Sequence, residues 1–273
     1  MGYALFFGVL AGAMIAFPGE AAGAALHAME LWASSVAPVL GPFMACMLLT
    51  VPRLPGGQWT RTALAWLMGS PGGARLMQTV KPTGRGALRL AAMTGTMSPM
   101  FFLGTLASWL GSPEAARLIL ICHWLGALGV GCCIRGEKAA VCAPPAPLSL
   151  AQAMGDTARA LLMIGVCMML GSAAARLIAC ALPFLPPGAS AAAQCLAEVT
   201  SGVKSLIGLR TSWTAPLTCA ACSFGGLSLL MQNAAFWQEG GVTAGQLFVL
   251  RALHGLLSGT LCLAAQTLLH LRL

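Results

Sequence analysis

Residues Ser223 to Gln232 read S-F-G-G-L-S-L-L-M-Q, and this stretch decides the fold. It sits in an apolar segment, with hydroxyls and two adjacent glycines at its middle. A lipid-facing helix has no use for that combination. A helix interrupted inside a membrane does, because glycine lets the backbone turn and Ser223 and Ser228 satisfy the backbone groups the turn frees. Residues Ser70 to Gln78 repeat the pattern as S-P-G-G-A-R-L-M-Q, with one residue of slack. Two interrupted apolar segments in corresponding places of two halves point to a secondary-transporter binding site. The pattern predicts two re-entrant helical hairpins, at 62–80 and 211–237, whose tips meet.

Composition sets the frame for that reading. The chain has 273 residues, of which 58% are hydrophobic and 8% charged. A soluble domain carries roughly 25% charged residues. The expectation is an all-α polytopic membrane protein, a single transmembrane domain over 1–273. Its first half covers 1–133 and its second half 157–273. Six transmembrane helices are expected, at 3–17, 34–51, 88–110, 115–133, 158–183 and 244–269. Residues 3–16 resemble the apolar core of a signal peptide. No basic residue precedes them and Pro18-Gly19-Glu20 is a poor cleavage site, so the segment stays as a first helix. The stretch 135–156 is Pro-rich and reads as a loop. Segment 189–210 is too polar for a lipid-exposed span, which leaves a spanning and an interfacial placement open.

The formal charge of +8 fits loops on the positive side of a membrane. Arg53, Arg61, Lys81, Arg85, Arg89, Arg135 and Lys138 fall in one set of connections. Glu20, Glu30, Glu114, Arg117 and Glu239 fall in the other. The alternation predicts a cell-membrane protein with both termini cytoplasmic and two hairpins of inverted topology. No basic run is interleaved with aromatics, so nucleic acid is not an expected partner. The 11 cysteines lie mostly in apolar segments, where Cys acts as a small hydrophobe rather than a disulfide half. Cys219 and Cys222 have metal or redox spacing but no second pair nearby, and read as packing. P-loop, H-E-x-x-H and G-x-S-x-G motifs are absent, and the acids number only 7. No enzyme activity, catalytic residue, cofactor or metal is expected.

The candidate binding residues follow from the interruptions. Broken helices present backbone N–H groups and a partial positive charge at mid-membrane. Gly72, Gly73, Gly225 and Gly226 would let a ligand approach that backbone, although such glycines also serve as helix-packing contacts. Ser70, Ser223, Ser228 and Gln232 accompany them. Arg75 follows the first break, where it either clamps a carboxylate or snorkels to water. Glu198 and Thr200 lie in E-V-T-S-G; an intramembrane acid there is a cation site or a partner for Lys204, and the other reading is a solvated loop. Thr96 and Ser98 are the polar centre of the third helix, lining a cavity or packing. His123 reads as a hydrogen-bonded core residue, and Arg251 as a side chain snorkelling from near a helix end.

At these motifs the chain resembles the YlbJ-type sporulation integral membrane proteins of the nucleoside-recognition, or Gate, family. Gate domains also occur in ferrous-iron transporters and are similar to concentrative nucleoside transporters. The resemblance is carried by Pro71, Gly73, Ala74 and Arg75, by Ser98, Pro99, Phe101 and Gly104, and by His123. Glu198, Thr200 and Gly202 also carry it, with Phe224 to Ser228, Gln232 and Arg251. It covers about 32–263. The chain is shorter than the typical member between its second helix and first hairpin, and Ser70 stands where an aromatic is usual. The resemblance implies a role in spore formation, in the membrane around the forespore. It implies movement of a small anionic metabolite, with dipicolinate as the substrate. A nucleoside or ion carrier and a non-transporting scaffold of a sporulation complex are the alternatives. The implied partners are a small-molecule substrate and membrane lipid, with a homo-oligomer left open.

Overall fold

The structure, a computed structural model, describes residues 2–51, 54, 57–78, 82–136 and 147–269, without the side chains of 2, 3, 78 and 235. Arg53, Lys81 and residues 137–146 of the Pro-rich loop lie outside them, as do residues 79–80 of the first expected hairpin. Every regular element among the described residues is helical. Five helices are long and apolar enough to cross a membrane, at Pro18–Thr50, Pro113–Cys133, Leu150–Ala181, Thr214–Ala234 and Ala244–Leu268. This is the architecture of a polytopic membrane protein.

Local chemistry sets the helix starts. Proline opens α2 (Pro18–Leu31), just after α1 (Gly2–Ala16), and Phe17 between them has non-helical dihedrals. A π-helical turn at Trp32–Val36 joins α2 to α3 (Ala37–Thr50) without a break. In α8 (Pro113–Cys133) Pro113 takes the first position and the Ser112 hydroxyl accepts from the Ala115 N–H. Reciprocal capping boxes start two more helices. Ser149 and Gln152 open α9 (Leu150–Ala181), and Thr243 and Gln246 open α14 (Ala244–Leu268).

Between these rods lie shorter pieces. Helices α4 (Gln58–Met68) and α5 (Gly72–Gln78) fold back on each other as a hairpin. Next come α6 (Gly84–Thr94), an unwound stretch, a π turn at Phe101–Leu106 and α7 (Ala107–Leu110). In the second half α10 (Pro187–Ala197) and α11 (Val199–Gly208) form another hairpin. Then α12 (Thr214–Phe224) and α13 (Gly226–Trp237) follow, interrupted at Gly225.

Side-chain contacts fix the directions. Met93, Met97 and Phe102 meet Gly131 and then His123, so α6 to α7 runs antiparallel to α8 along its whole length. Cys122 meets Cys262, and Gly126 packs on Ser258, so α14 is antiparallel to α8. Gly255 packs on Ala220, Gly259 on Pro216, and Gln266 donates to the Ser212 carbonyl. Thus α12 also runs against α14. Arg176 meets Glu20 and Gly165 meets Trp32, which sets α9 against α2 and α3. Each half therefore reads long helix, hairpin, broken helix, helix, and the two halves run in opposite senses.

Two expectations need correction. The second hairpin is 187–208, the segment left ambiguous by its polarity, and 211–237 instead crosses the bundle as a broken helix. The reason is the turn. Gly225 and Gly226 have φ of 83° and 67°, a short left-handed step that offsets the axis without reversing it. Among the described residues five helices are long and apolar enough to cross a membrane, against the six expected, and α1 is shorter than the roughly twenty residues a span needs. Consequently α14 ends beside Ser212, at the face where α8 begins. Gly240, before α14, packs on Pro82 and Ala87 at the opposite, basic face. The end of α14 and the basic connections thus lie on different faces.

This arrangement predicts labelling. In a thiol-free background, single cysteines at Ser112 and Thr267 should react with an impermeant reagent from one side of the membrane. Cysteines at Arg135 and Gln238 should react from the other. Labelling of Thr267→Cys and Gln238→Cys from the same side would contradict the crossing of α14.

Candidate functional site

The hairpin tips and the helix breaks come to one level in the middle of the bundle. At the first tip Gly69 has φ 65° and ends α4. A Cβ there would run into the Ser98 backbone, so only glycine lets hairpin 1 approach the first break this closely. The Ser70 N–H donates to the Thr96 carbonyl at 2.8 Å, and the Ser70 hydroxyl to Asn233 Oδ1 at 2.8 Å. Hairpin 1 is thereby tied both to the unwound stretch 95–98 and to α13. At the second tip Gly226 plays the matching part. A Cβ on it would lie 2.8 Å from the Cys195 carbonyl oxygen and 3.2 Å from the Val199 nitrogen. Gly171 on α9 makes room for Glu198 in the same way.

Unwinding frees backbone groups that a low-dielectric interior does not forgive. Buried side chains satisfy them here. His123 Nε2 accepts the Met97 N–H at 3.1 Å, so its Nδ1 carries the hydrogen and donates to the Ser223 hydroxyl at 2.8 Å. One imidazole thus joins the first break to the residue before the second. His254 Nε2 donates to the His123 carbonyl at 2.7 Å. Arg251 is 3% exposed and donates to the carbonyls of Gly95 and Ala92, at the C-terminal end of α6. A cation suits that end of a helix. Arg251 therefore does not snorkel, whereas His123 is indeed a hydrogen-bonded core residue.

A central cavity of about 40 Å³ lies between the tips. Ser70, Ser98, Glu198, Thr200, Ser228 and Gln232 supply its polar lining, from both hairpins, the first break and α13. Met44, Met97, Phe101 and Met168 contribute apolar wall. No Lys or Arg lines it among the described residues. Gln232 Oε1 and Thr96 Oγ1 are buried without a hydrogen-bond partner. Glu198 is 1% exposed, and its two oxygens accept from the Thr200 and Ser201 N–H groups at 2.8 and 2.6 Å, capping α11. A space of this size holds water or a small ion.

Two wider grooves approach the cavity from opposite ends. One, of about 280 Å³, includes Glu20, His27, Ser172, Arg176 and Gln194 and reaches Glu198. The other, of about 320 Å³, includes Pro71, Gly72, Arg75, Asp156 and Arg159. Arg75 is paired with Asp156 at 2.9 Å and half exposed, away from the cavity. Gly73 is a packing contact: a Cβ on it would be 2.6 Å from the Ala65 carbonyl, so it lets the hairpin arms close. Gly225 is a turn residue, and Ser223 is held by His123. Of the expected site residues, then, six gather at the cavity and Thr96 and Gly226 support it. Gly72, Gly73 and Arg75 belong to the groove and hairpin behind. Asn233 was missed by the sequence reading; its signal is the amide pair Gln232-Asn233 inside an apolar run.

No family model, no curated protein and no solved structure matches the chain. Among the described residues no group of three or more His, Cys, Asp or Glu side chains is placed to hold a metal ion.

The tip contacts predict a local sensitivity. Gly69→Ala should lower stability by about 1–3 kcal/mol, because it combines a left-handed φ with a backbone clash. Gly155→Ala, on an open face of α9, should leave stability unchanged or raise it by up to about 1 kcal/mol. Thermal unfolding of the purified variants in detergent checks both; a Gly69→Ala midpoint at or above wild type would contradict the close approach.

Proposed function

We propose that this protein is a secondary transporter whose solute site is the cavity between the two hairpin tips. The observation that carries the reading is the convergence of six polar side chains, from opposed hairpins and a broken helix, on one small cavity. Each long hairpin arm has about 11 residues, roughly 16 Å of helix, or half of a bilayer's hydrocarbon core of about 30 Å. Such hairpins enter from one face and return to it. The face bearing Arg61, Arg85, Arg89 and Arg135 is the cytoplasmic one, since basic connections stay inside. Hairpin 1 then opens to the cytoplasm and hairpin 2 to the other side.

This geometry suits alternating access. In the described conformation the cavity, at about 40 Å³, is too small for a drug-sized solute, which needs about 300 Å³ or more. Releasing the Ser70 bonds to Thr96 and Asn233 would open the cavity to the groove beside Arg75. Releasing the Ser172–Ser201 hydroxyl contact, 3.0 Å long, would open it to the groove beside Glu20. The solute we propose is a small anionic metabolite such as dipicolinate, moved during spore formation across the membrane around the forespore. This part rests on the resemblance of the sequence motifs. A nucleoside-like solute is the second reading. It is favoured by a cavity wall of hydroxyls, an amide and a carboxyl group, with no cationic side chain among the described residues.

Uptake into proteoliposomes tests the site, with labelled dipicolinate and labelled nucleosides in parallel. Gly226→Leu should abolish uptake while membrane insertion stays normal. Ser228→Ala should weaken apparent affinity about tenfold, the equivalent of one lost buried hydrogen bond of about 1.4 kcal/mol. Arg75→Gln should stay within about twofold of wild type, which a direct carboxylate clamp would not allow. Full uptake by Gly226→Leu would sink the proposal. Absence of uptake for every solute, with tip variants indistinguishable from wild type in the cell, would favour the scaffold reading.

A further inference from the structure

Glu198 is buried at the tip of hairpin 2, and both of its oxygens are engaged. Backbone N–H groups donate to both of its oxygens, and it caps the N-terminal end of α11, a helix of 10 residues. Donors to both oxygens and the positive end of a helix favour a carboxylate, while burial opposes it, so the charged form needs a further positive partner. A carboxylate taken out of water demands a counter-charge. The protein does not supply one among the described residues. Lys204 lies over the Trp109 ring at 5.9 Å, Arg176 is bonded to Glu20 at 2.6 Å, and Arg251 is committed to the end of α6.

A second observation points into the same space. Gln232 is 3% exposed and lines the cavity, and its Oε1 receives no hydrogen bond. Ser228 and Thr200 add hydroxyl oxygens to the lining. The lining thus combines one carboxyl group, an unanswered carbonyl oxygen and hydroxyls in about 40 Å³.

We propose that this cavity is a binding site for a monovalent metal cation of sodium's size, held between the Glu198 carboxylate and Gln232 Oε1. Oxygen-only donors select a hard cation, and a single carboxylate balances a single charge. The groove that ends at Glu198 gives the ion access from one face. The role of the site rests on the transport reading. A bound cation cancels the negative charge of Glu198 and lets an anionic solute enter a cavity that otherwise repels it. By linkage, cation and solute then raise each other's affinity equally.

The test uses the full chain in lipid nanodiscs and radioactive sodium, with choline as the inert control. Saturable sodium binding is expected, with a rise in unfolding midpoint in sodium chloride that choline chloride at equal ionic strength does not give. Gln232→Leu should weaken sodium binding at least tenfold while its midpoint in choline matches wild type. Glu198→Gln should abolish binding. Lack of saturable binding, equal stabilisation by both salts, or wild-type sodium affinity in Gln232→Leu would overturn the site. The two readings fail separately. Sodium binding without carriage of any solute would leave the site and remove the transporter; solute uptake unchanged when choline replaces sodium would do the reverse.

Discussion

Everything in this fold depends on how backbone polar groups are satisfied where helices stop inside an apolar bundle. A continuous helix bonds its own N–H and C=O groups, and a broken one does not. The described chain interrupts its helices at four central places: the tips at Gly69 and Glu198, and the breaks at 95–98 and Gly225. At the first three, a specific partner answers. Ser70 bonds the Thr96 carbonyl, Glu198 caps α11 with its own side chain, His123 takes the Met97 N–H, and Arg251 takes the Gly95 carbonyl. The polar residues of the core are therefore the condition on which a cavity can exist at that depth.

The same partners make the centre a coupled unit. His123 bonds both to the first break and to Ser223 beside the second, and His254 in turn bonds the His123 carbonyl. Ser70 links hairpin 1 to Asn233 on α13, which begins at the second break. A displacement of the hairpin 1 tip consequently reaches the opposite half through a hydrogen bond of defined length. The outer wall, α9 against α2 and α3, is longer and apolar, and it carries the Arg75–Asp156 and Arg176–Glu20 pairs near its two ends. Exposed pairs of this kind contribute little to stability, about 0–1 kcal/mol.

The two S-x-G-G stretches illustrate how far a motif can be read. They look like copies, yet they do different work. In the first, the reversal happens at Gly69 and Ser70, and Gly73 merely lets the arms pack. In the second, two left-handed glycines step the helix sideways, and Gly226 makes room for the tip of a different hairpin. The true counterpart of hairpin 1 has no glycine at its turn. Its signal was E-V-T-S-G, an acid placed to cap a helix, inside a segment whose polarity had left it unassigned. Arg75 shows the complementary limit: its position after a break is compatible with a ligand clamp or with an acidic partner on another helix, and the structure pairs it with Asp156.

Sequence alone determined the class of molecule, because apolar content, charge sparsity and helix starts are sums over local residues that no packing can reverse. It also determined most of the cavity lining, since hydroxyls, an amide and an acid within apolar runs must find an interior use. The tertiary structure alone decided which segments fold back, which face α14 ends on, and which partner each buried polar group takes. Those outcomes join residues far apart in the chain, such as Ser70 with Asn233 and His123 with Ser223. They turn on fractions of an ångström at a glycine or a tip, and no local pattern encodes such a distance.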